Sequence, residues 1–278
     1  MDNSGAALQQ DGATGWADSG LRYPTEWRLW VDETPRPGWA NMAIDQALLD
    51  RADQHGESWL RLYTWSPHCL SFGRHEPATR RYDVDRIADM GIDTVRRPTG
   101  GRAVWHSKEL TYALVAPSAS FGSLRSAYTE IHGMLASALR GMGLTASLAR
   151  RTGSIPLDAG ACFSQAAGGE VMNGTQKVVG SAQFRLGRAL LQHGSILLQD
   201  EQQLVRVLAR QDSSISGDVF RPTSTNELSG PDLIDAIARA ARVRWQGTWH
   251  RIFRPDELLQ AASRYYPQFR SPAWTWSR

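Results

Sequence analysis

The chain has 278 residues, enough for one large hydrophobic core or two modest ones. Hydrophobic residues make up 41% and charged residues 21%, which excludes wholesale disorder, and a net charge of +3 is too small for the concentrated basic face of a dedicated nucleic-acid binder. No stretch approaches the about 18 apolar residues of a membrane span, and Cys69 and Cys162, the sole cysteines, are too few for a disulfide framework.

Residues 1–24 are polar, acidic and glycine-rich without the apolar segment of a secretory signal, so they read as a flexible tail. One catalytic domain is expected over 25–278, in the cytoplasm, with no nucleic acid and no membrane as partner. Residues 27–32 alternate as a first strand, which Pro35, Pro37 and Gly38 break, and Asn41 is placed to cap a helix over 42–50. Period-two alternation over 59–65, the turn Ser66-Pro67 and a second run at 69–73 predict a hairpin. Helical spacing over 83–90 stops at Gly91, and a strand over 92–97 ends at Pro98.

Thr99-Gly100-Gly101 then turns the chain into strands at 103–106 and 110–116, and a helix over 128–142 closes at Gly143. Residues 150–169 are rich in Gly, Ser, Ala and Arg with little periodicity, the pattern of a long loop, and such loops inside compact domains are usually functional or disordered. Asn173-Gly174 signals a hairpin between 171–172 and a strand starting at Lys177. A strand over 190–198 is interrupted by Gln192-His193-Gly194, and the remainder is helical at 200–209, 231–242 and 255–265. The expected fold is mixed α/β (α+β), a mixed β-sheet with flanking helices and a helical C-terminal part from about 231.

Cys162 is the candidate nucleophile, because Gly160, Ala161, Ser164, Gly168 and Gly169 leave little bulk around its thiol; the bland alternative is a small hydrophobe in a loop. Cys69, among alternating strand residues, reads as core. Basic residues are almost all arginine, so Lys177, ahead of the small residues Gly180, Ser181 and Ala182, stands out. An ammonium there favours a nearby thiolate and can stabilise an acyl oxyanion, whereas the plain alternative is a strand-end lysine.

In Arg96-Arg97-Pro98-Thr99-Gly100-Gly101-Arg102-Ala103-Val104-Trp105-His106 the paired glycines let a ligand lie against the backbone; the spacing matches neither a phosphate-cradling loop nor a dinucleotide fingerprint. His106 and His193 are candidates to orient substrate or exchange protons, with a satisfied structural role as the alternative. Arginines 80, 81, 96 and 97 are positioned to meet an acidic partner or to form a solvated face. No Cys/His cluster has metal-ligand spacing, and neither a metal nor an organic cofactor is expected.

Taken in order, Asn41-Met42-Ala43-Ile44-Asp45, Leu60-Arg61-Leu62-Tyr63, the glycine segment through His106, Lys177-Val178-Val179-Gly180-Ser181-Ala182-Gln183 and Gln192-His193-Gly194-Ser195 resemble the successive signatures of the biotin/lipoate A/B protein ligase family. Glu109-Leu110-Thr111-Tyr112 and Ala161-Cys162-Phe163 look like its octanoyltransferase branch. The resemblance implies a class II synthetase and biotin ligase-like catalytic domain, Cys162 as acyl carrier and Lys177 as the group that lowers its pKa. It implies that Arg97, Gly100, Gly101, His106, Gly180, Ser181, Ala182, His193 and Gly194 contact the acyl substrate. The implied donor is octanoyl-acyl carrier protein, and the acceptors are lipoyl domains of the glycine cleavage H protein or of dehydrogenase acyltransferase subunits. The rival is an ATP-dependent lipoate- or biotin-protein ligase.

Overall fold

A computed structural model describes residues 23–149, 168–210 and 228–278. Residues 1–22 of the expected tail, and Cys162 with most of the expected loop, lie outside the described residues. Tyr23 already packs on the domain, its hydroxyl donating to Glu130 at 2.8 Å and its ring tilted on Phe121.

The chain begins with β1 (Glu26–Val31), α1 (Gly38–His55), β2 (Trp59–Tyr63), β3 (Cys69–Phe72), the short helices α2 (Ala78–Arg81) and α3 (Val84–Asp89), β4 (Asp93–Arg96), β5 (Val104–His106) and β6 (Glu109–Pro117). It continues through α4 (Leu124–Gly141), β7 (Ala146–Leu148), β8 (Val171–Asn173), β9 (Gln176–Lys177), β10 (Val179–Leu186) and β11 (Ala189–Leu197). Last come α5 (Gln203–Val207), α6 (Gly230–Trp245), β12 (Thr248–Arg251), α7 (Asp256–Ala262), α8 (Tyr266–Arg270) and α9 (Pro272–Thr275).

Six strands form the main sheet in the order β10-β11-β6-β2-β1-β12. β1 runs parallel to β2 and β12, whereas β6 is antiparallel to β2 and β11, so the expected mixed sheet is the one found. One face carries α4 and α6, whose Ile131, Leu135, Leu233 and Ile237 join Leu60, Leu62, Tyr112 and Leu114 in a core. The other face carries α1, α7 and α8, with Met42, Leu48, Leu258 and Phe269 packed on Trp59, Tyr63 and Val115. At the sheet's far edge Trp27 is stacked between Trp245 and Trp249, ring centroids 5.1 and 5.0 Å away.

Helices on both faces leave no solvent side for β2, and this changes the meaning of its alternation. Arg61 is fully buried. Its guanidinium donates to Asp45 at 3.0 Å, to Asp32 at 2.7 Å and to the Asn41 side-chain oxygen at 2.7 Å, and stacks 3.9 Å from the Tyr63 ring centroid. Those partners satisfy a charge that burial would otherwise make very costly.

Three further expectations are corrected. α1 starts at Gly38 behind Pro37, so Asn41 is not its cap; its amide instead donates to the Arg36 and Thr64 carbonyls. The runs at 59–65 and 69–73 are not a hairpin, because the Ser66-Pro67 turn carries the chain into a second sheet, β4-β3-β5. β11 is uninterrupted: Gln192, His193 and Gly194 pair continuously with both β10 and β6. The Asn173-Gly174 turn does join β8 to β9, in a third sheet β7-β8-β9.

Candidate active site

Where β10, β11 and β6 meet the glycine loop between β4 and β5, a cleft opens. Of the residues singled out in the sequence, Arg97, Gly101, His106, Gly180, Ser181, Ala182, His193 and Gly194 line it. Met42, Tyr63, Trp65, Val104, Thr111 and Ser195 complete the wall. Gly100 is not in the lining, and open space surrounds the position a Cβ would take there. Lys177 does not line the cleft either, and Cys162 lies outside the described residues.

Glycine is required at particular points of this wall. Gly101 has φ +88°, a left-handed conformation that side chains disfavour. A Cβ at Gly73 would stand 1.9 Å from the Gly101 carbonyl, so β3's end and the glycine loop pack backbone on backbone. In the main sheet Tyr112, Gly194 and Ser181 form one row across β6, β11 and β10. With no side chain between them, the Tyr112 and Ser181 hydroxyls meet at 2.7 Å. Gly194→Ala would place its methyl 2.4 Å from the Gly180 carbonyl and 2.5 Å from Ser181 Oγ. Overpacking of this kind costs about 1–3 kcal/mol, and the strands must part at the cleft. The expected result is a lower Tm together with a kcat/KM reduced by about 10²-fold, since ångström displacements have that effect; parent-like kinetics would show that the row is not part of the site.

The buried histidines share one arrangement. His106 Nδ1 meets Glu109 Oε1 at 2.6 Å and its Nε2 meets Ser71 Oγ at 2.6 Å. His193 Nδ1 meets Asp45 Oδ2 at 2.8 Å and its Nε2 meets Thr99 Oγ1 at 2.6 Å. His132 Nδ1 meets the Gly169 carbonyl at 2.7 Å and its Nε2 meets Ser181 Oγ at 2.8 Å. In each ring Nδ1–H donates to an oxygen that only accepts, and Nε2 accepts a hydroxyl proton. Burial holds His193 below the ordinary imidazole value despite the opposing pull of Asp45. The hydroxyls that His106 and His193 meet, Ser71 and Thr99, are fully buried, which favours the structural alternative over proton exchange with a substrate; His106 also stacks on Trp65 at 3.9 Å.

The remaining hydroxyls are spent in the same way. Thr111 accepts from Trp65 Nε1 at 2.7 Å and donates to Glu109 at 2.6 Å, and Ser195 donates to Glu109 at 3.0 Å. Arg97, expected to contact substrate, donates to the Ser71 carbonyl and hydroxyl and to the Gly100 and Arg102 carbonyls, and so braces the glycine loop. Arg96 and Arg97 are 1% and 5% exposed, too deep to meet an acidic partner as a surface patch. The cleft is polar in composition yet presents an occupant with few unspent protons, a wall suited to an aliphatic chain. One atom stands apart: Glu109 Oε2 is buried without a hydrogen-bond partner.

Lys177 is 6% exposed and its Nζ donates to Glu170 Oε1 at 2.6 Å, Glu170 also being 6% exposed. Glu170 follows Gly169, whose carbonyl takes His132 Nδ1, and His132 Nε2 holds the cleft residue Ser181, so Lys177 is linked to the cleft through Glu170 and that imidazole. His132 and Glu170 carried no signal in the sequence beyond a polar residue inside an amphipathic helix and a carboxylate at a loop end. Cys69 is fully buried, and its thiol is pushed well above its usual value by burial and by Asp93, in keeping with a core role.

The family model for the lipoyl protein ligase A/B catalytic domain matches residues 37–227. A protein named octanoyltransferase LipM from Carboxydothermus hydrogenoformans is 40% identical over 188 residues, covering 66% of this chain and 69% of that protein. Another of that name from Exiguobacterium sibiricum is 32% identical over 281 residues, covering 91% of this chain and 99% of that protein. Among solved structures, lipoate-protein ligase A bound with ATP superposes with a TM-score of 0.74 at 21% identity, over 90% of this chain and 98% of that one. A bi-partite lipoate protein ligase from Thermoplasma acidophilum, studied with its E2 lipoyl domain, gives 0.73 at 19% identity, over 91% and 97%. These likenesses establish the expected class II synthetase-type fold.

Proposed function

The chain belongs to the lipoyl protein ligase A/B catalytic domain family, and from that premise we propose that it is an octanoyltransferase of lipoate biosynthesis, moving an octanoyl group onto a lysine of a lipoyl domain. Two relatives, matched over 69% and 99% of their own lengths, carry that activity in their names. The observation that carries the reading in the molecule is the cleft whose lining hydroxyls, Tyr63, Thr111, Ser181 and Ser195, have already spent their protons. An alkyl chain can enter it without orphaning a donor, and each buried CH₂ contributes about 0.8 kcal/mol.

The transfer proceeds in two steps. The Cys162 thiolate attacks the octanoyl thioester of acyl carrier protein; the new C–S bond forms as the carrier's C–S bond breaks, and the carrier thiolate leaves and takes up a proton. The neutral amine of the acceptor lysine then attacks the enzyme thioester; the C–N bond forms, the C–S bond to Cys162 breaks, and the amine gives up a proton as the thiolate is restored. Lys177 supplies the positive charge that favours the thiolate and then the oxyanion. A free-thiol nucleophile suits a reducing compartment, the cytoplasm; among the described residues no helix is long and apolar enough to cross a membrane.

Octanoyl-acyl carrier protein and an apo lipoyl domain, mixed with the enzyme without ATP, should give an acceptor heavier by one octanoyl group in an intact-mass spectrum. Modification only with free octanoate and ATP would replace the transferase with a ligase.

A further inference from the structure

His132 is fully buried on α4, yet a leucine would fill that place without needing partners. The direction of its hydrogen bonds can be worked out without choice. The Gly169 carbonyl can only accept, so Nδ1 carries the ring proton; Nε2 then accepts from Ser181, and the single Ser181 proton is used. Tyr112 must therefore donate to Ser181, and the Gln192 amide donates to Tyr112 at 2.8 Å. The chain runs one way from the cleft wall, through α4, to Gly169. The Tyr128 ring, 4.0 Å from the imidazole centroid, closes over it.

Gly169 is the neighbour of Glu170, and the same short segment is pinned from the other side. Its N–H donates to the Ala149 carbonyl at 2.9 Å, and Ala149 N–H donates to the Glu170 carbonyl at 2.7 Å. Glu170 in turn takes the Lys177 ammonium. Burial first, and then the charge of Lys177, push His132 down to about 4. The ring is thus a fixed neutral strut at physiological pH, not a proton relay.

We propose that His132 and Glu170 are positioning residues of the transfer reaction: Glu170 holds the Lys177 ammonium, and His132 ties Glu170's backbone to the cleft wall at Ser181. This rests on the role given to Lys177 above. A displaced ammonium impairs chemistry while leaving the acyl cleft, on the α1 side of the sheet, intact.

The test uses the full chain with octanoyl-acyl carrier protein, and follows iodoacetamide alkylation of Cys162, for which buried Cys69 is silent. His132→Leu should lower kcat and the Cys162 alkylation rate together by about 10²-fold with KM for the carrier little changed. His132→Gln, whose amide can donate to Gly169 and accept from Ser181, should recover most of both, and Glu170→Gln should reproduce the loss. Parent-like kcat and alkylation in folded His132→Leu, or equal losses in the Leu and Gln variants, would overturn the proposal. If His132→Leu does not fold, Glu170→Gln decides, parent-like turnover again overturning it. A parent enzyme that forms no octanoyl adduct on Cys162 at all would instead overturn the transfer reading on which the proposal rests.

Discussion

Cys162→Ala is expected to abolish transfer, with a loss in kcat of at least about 10³-fold, since removing a covalent nucleophile leaves only binding and electrostatic contributions behind. Cys69 is fully buried on β3 with its thiol held protonated by burial and by Asp93, and a Cβ on Gly38 would come within 2.6 Å of its sulfur, so neither access nor ionisation suits it to attack. Among the described residues, His106 and His193 meet the Ser71 and Thr99 hydroxyls, which are fully buried, and His132, which meets Ser181, is pushed down to about 4 by burial and is a weak base. A thiol beside an ammonium needs no histidine base. In an intact-mass experiment with octanoyl-acyl carrier protein alone, the parent should gain one octanoyl group, Cys69→Ser should gain the same, and Cys162→Ala should gain none. An adduct that persists on Cys162→Ala ends the thioester mechanism.

The legible part of this molecule was its local chemistry. Gly91, Gly101, Gly143 and Gly174 all take positive φ where turns or helix ends were expected, because a glycine requirement is set by the backbone at that point alone. Residues in the Gly100-Gly101, Gly180-Ser181-Ala182 and His193-Gly194 motifs could be named as a group from the order of the signatures, and most of them meet in one cleft. What was not legible depends on pairing across distance. Arg61 in an alternating strand looks solvent-facing until α1 brings Asp45 over it and β1 brings Asp32 beside it. The run after Ser66-Pro67 has the pattern of a returning strand, and only its register with β4 and β5 shows that it belongs to another sheet. Gly194 reads as a strand breaker; it is instead the gap through which Tyr112 reaches Ser181. His132 finds its partners at Gly169 and Ser181, separations at which no spacing rule applies.

Lys177→Met should combine two losses that a second substitution can separate. The Lys177 and Glu170 side chains are both almost wholly buried, so removing the ammonium leaves the carboxylate without its main counter-charge, a change that destabilises by about 3–5 kcal/mol for buried pairs. Transfer should fall by about 10²-fold or more, because the group assigned to the thiolate and the oxyanion is gone. Lys177→Arg preserves charge, but a planar guanidinium does not reproduce the compact ammonium that meets Glu170 at 2.6 Å, and turnover should still drop. Adding Glu170→Gln to Lys177→Met removes the other charge of the pair, and replacing both members of a buried pair by neutral groups is often close to neutral for stability. The double variant should therefore recover much of its Tm while remaining inactive in the carrier-to-lipoyl-domain assay. Recovery of Tm and turnover together would reduce Lys177 to a structural ion pair and assign the catalytic charge to another group.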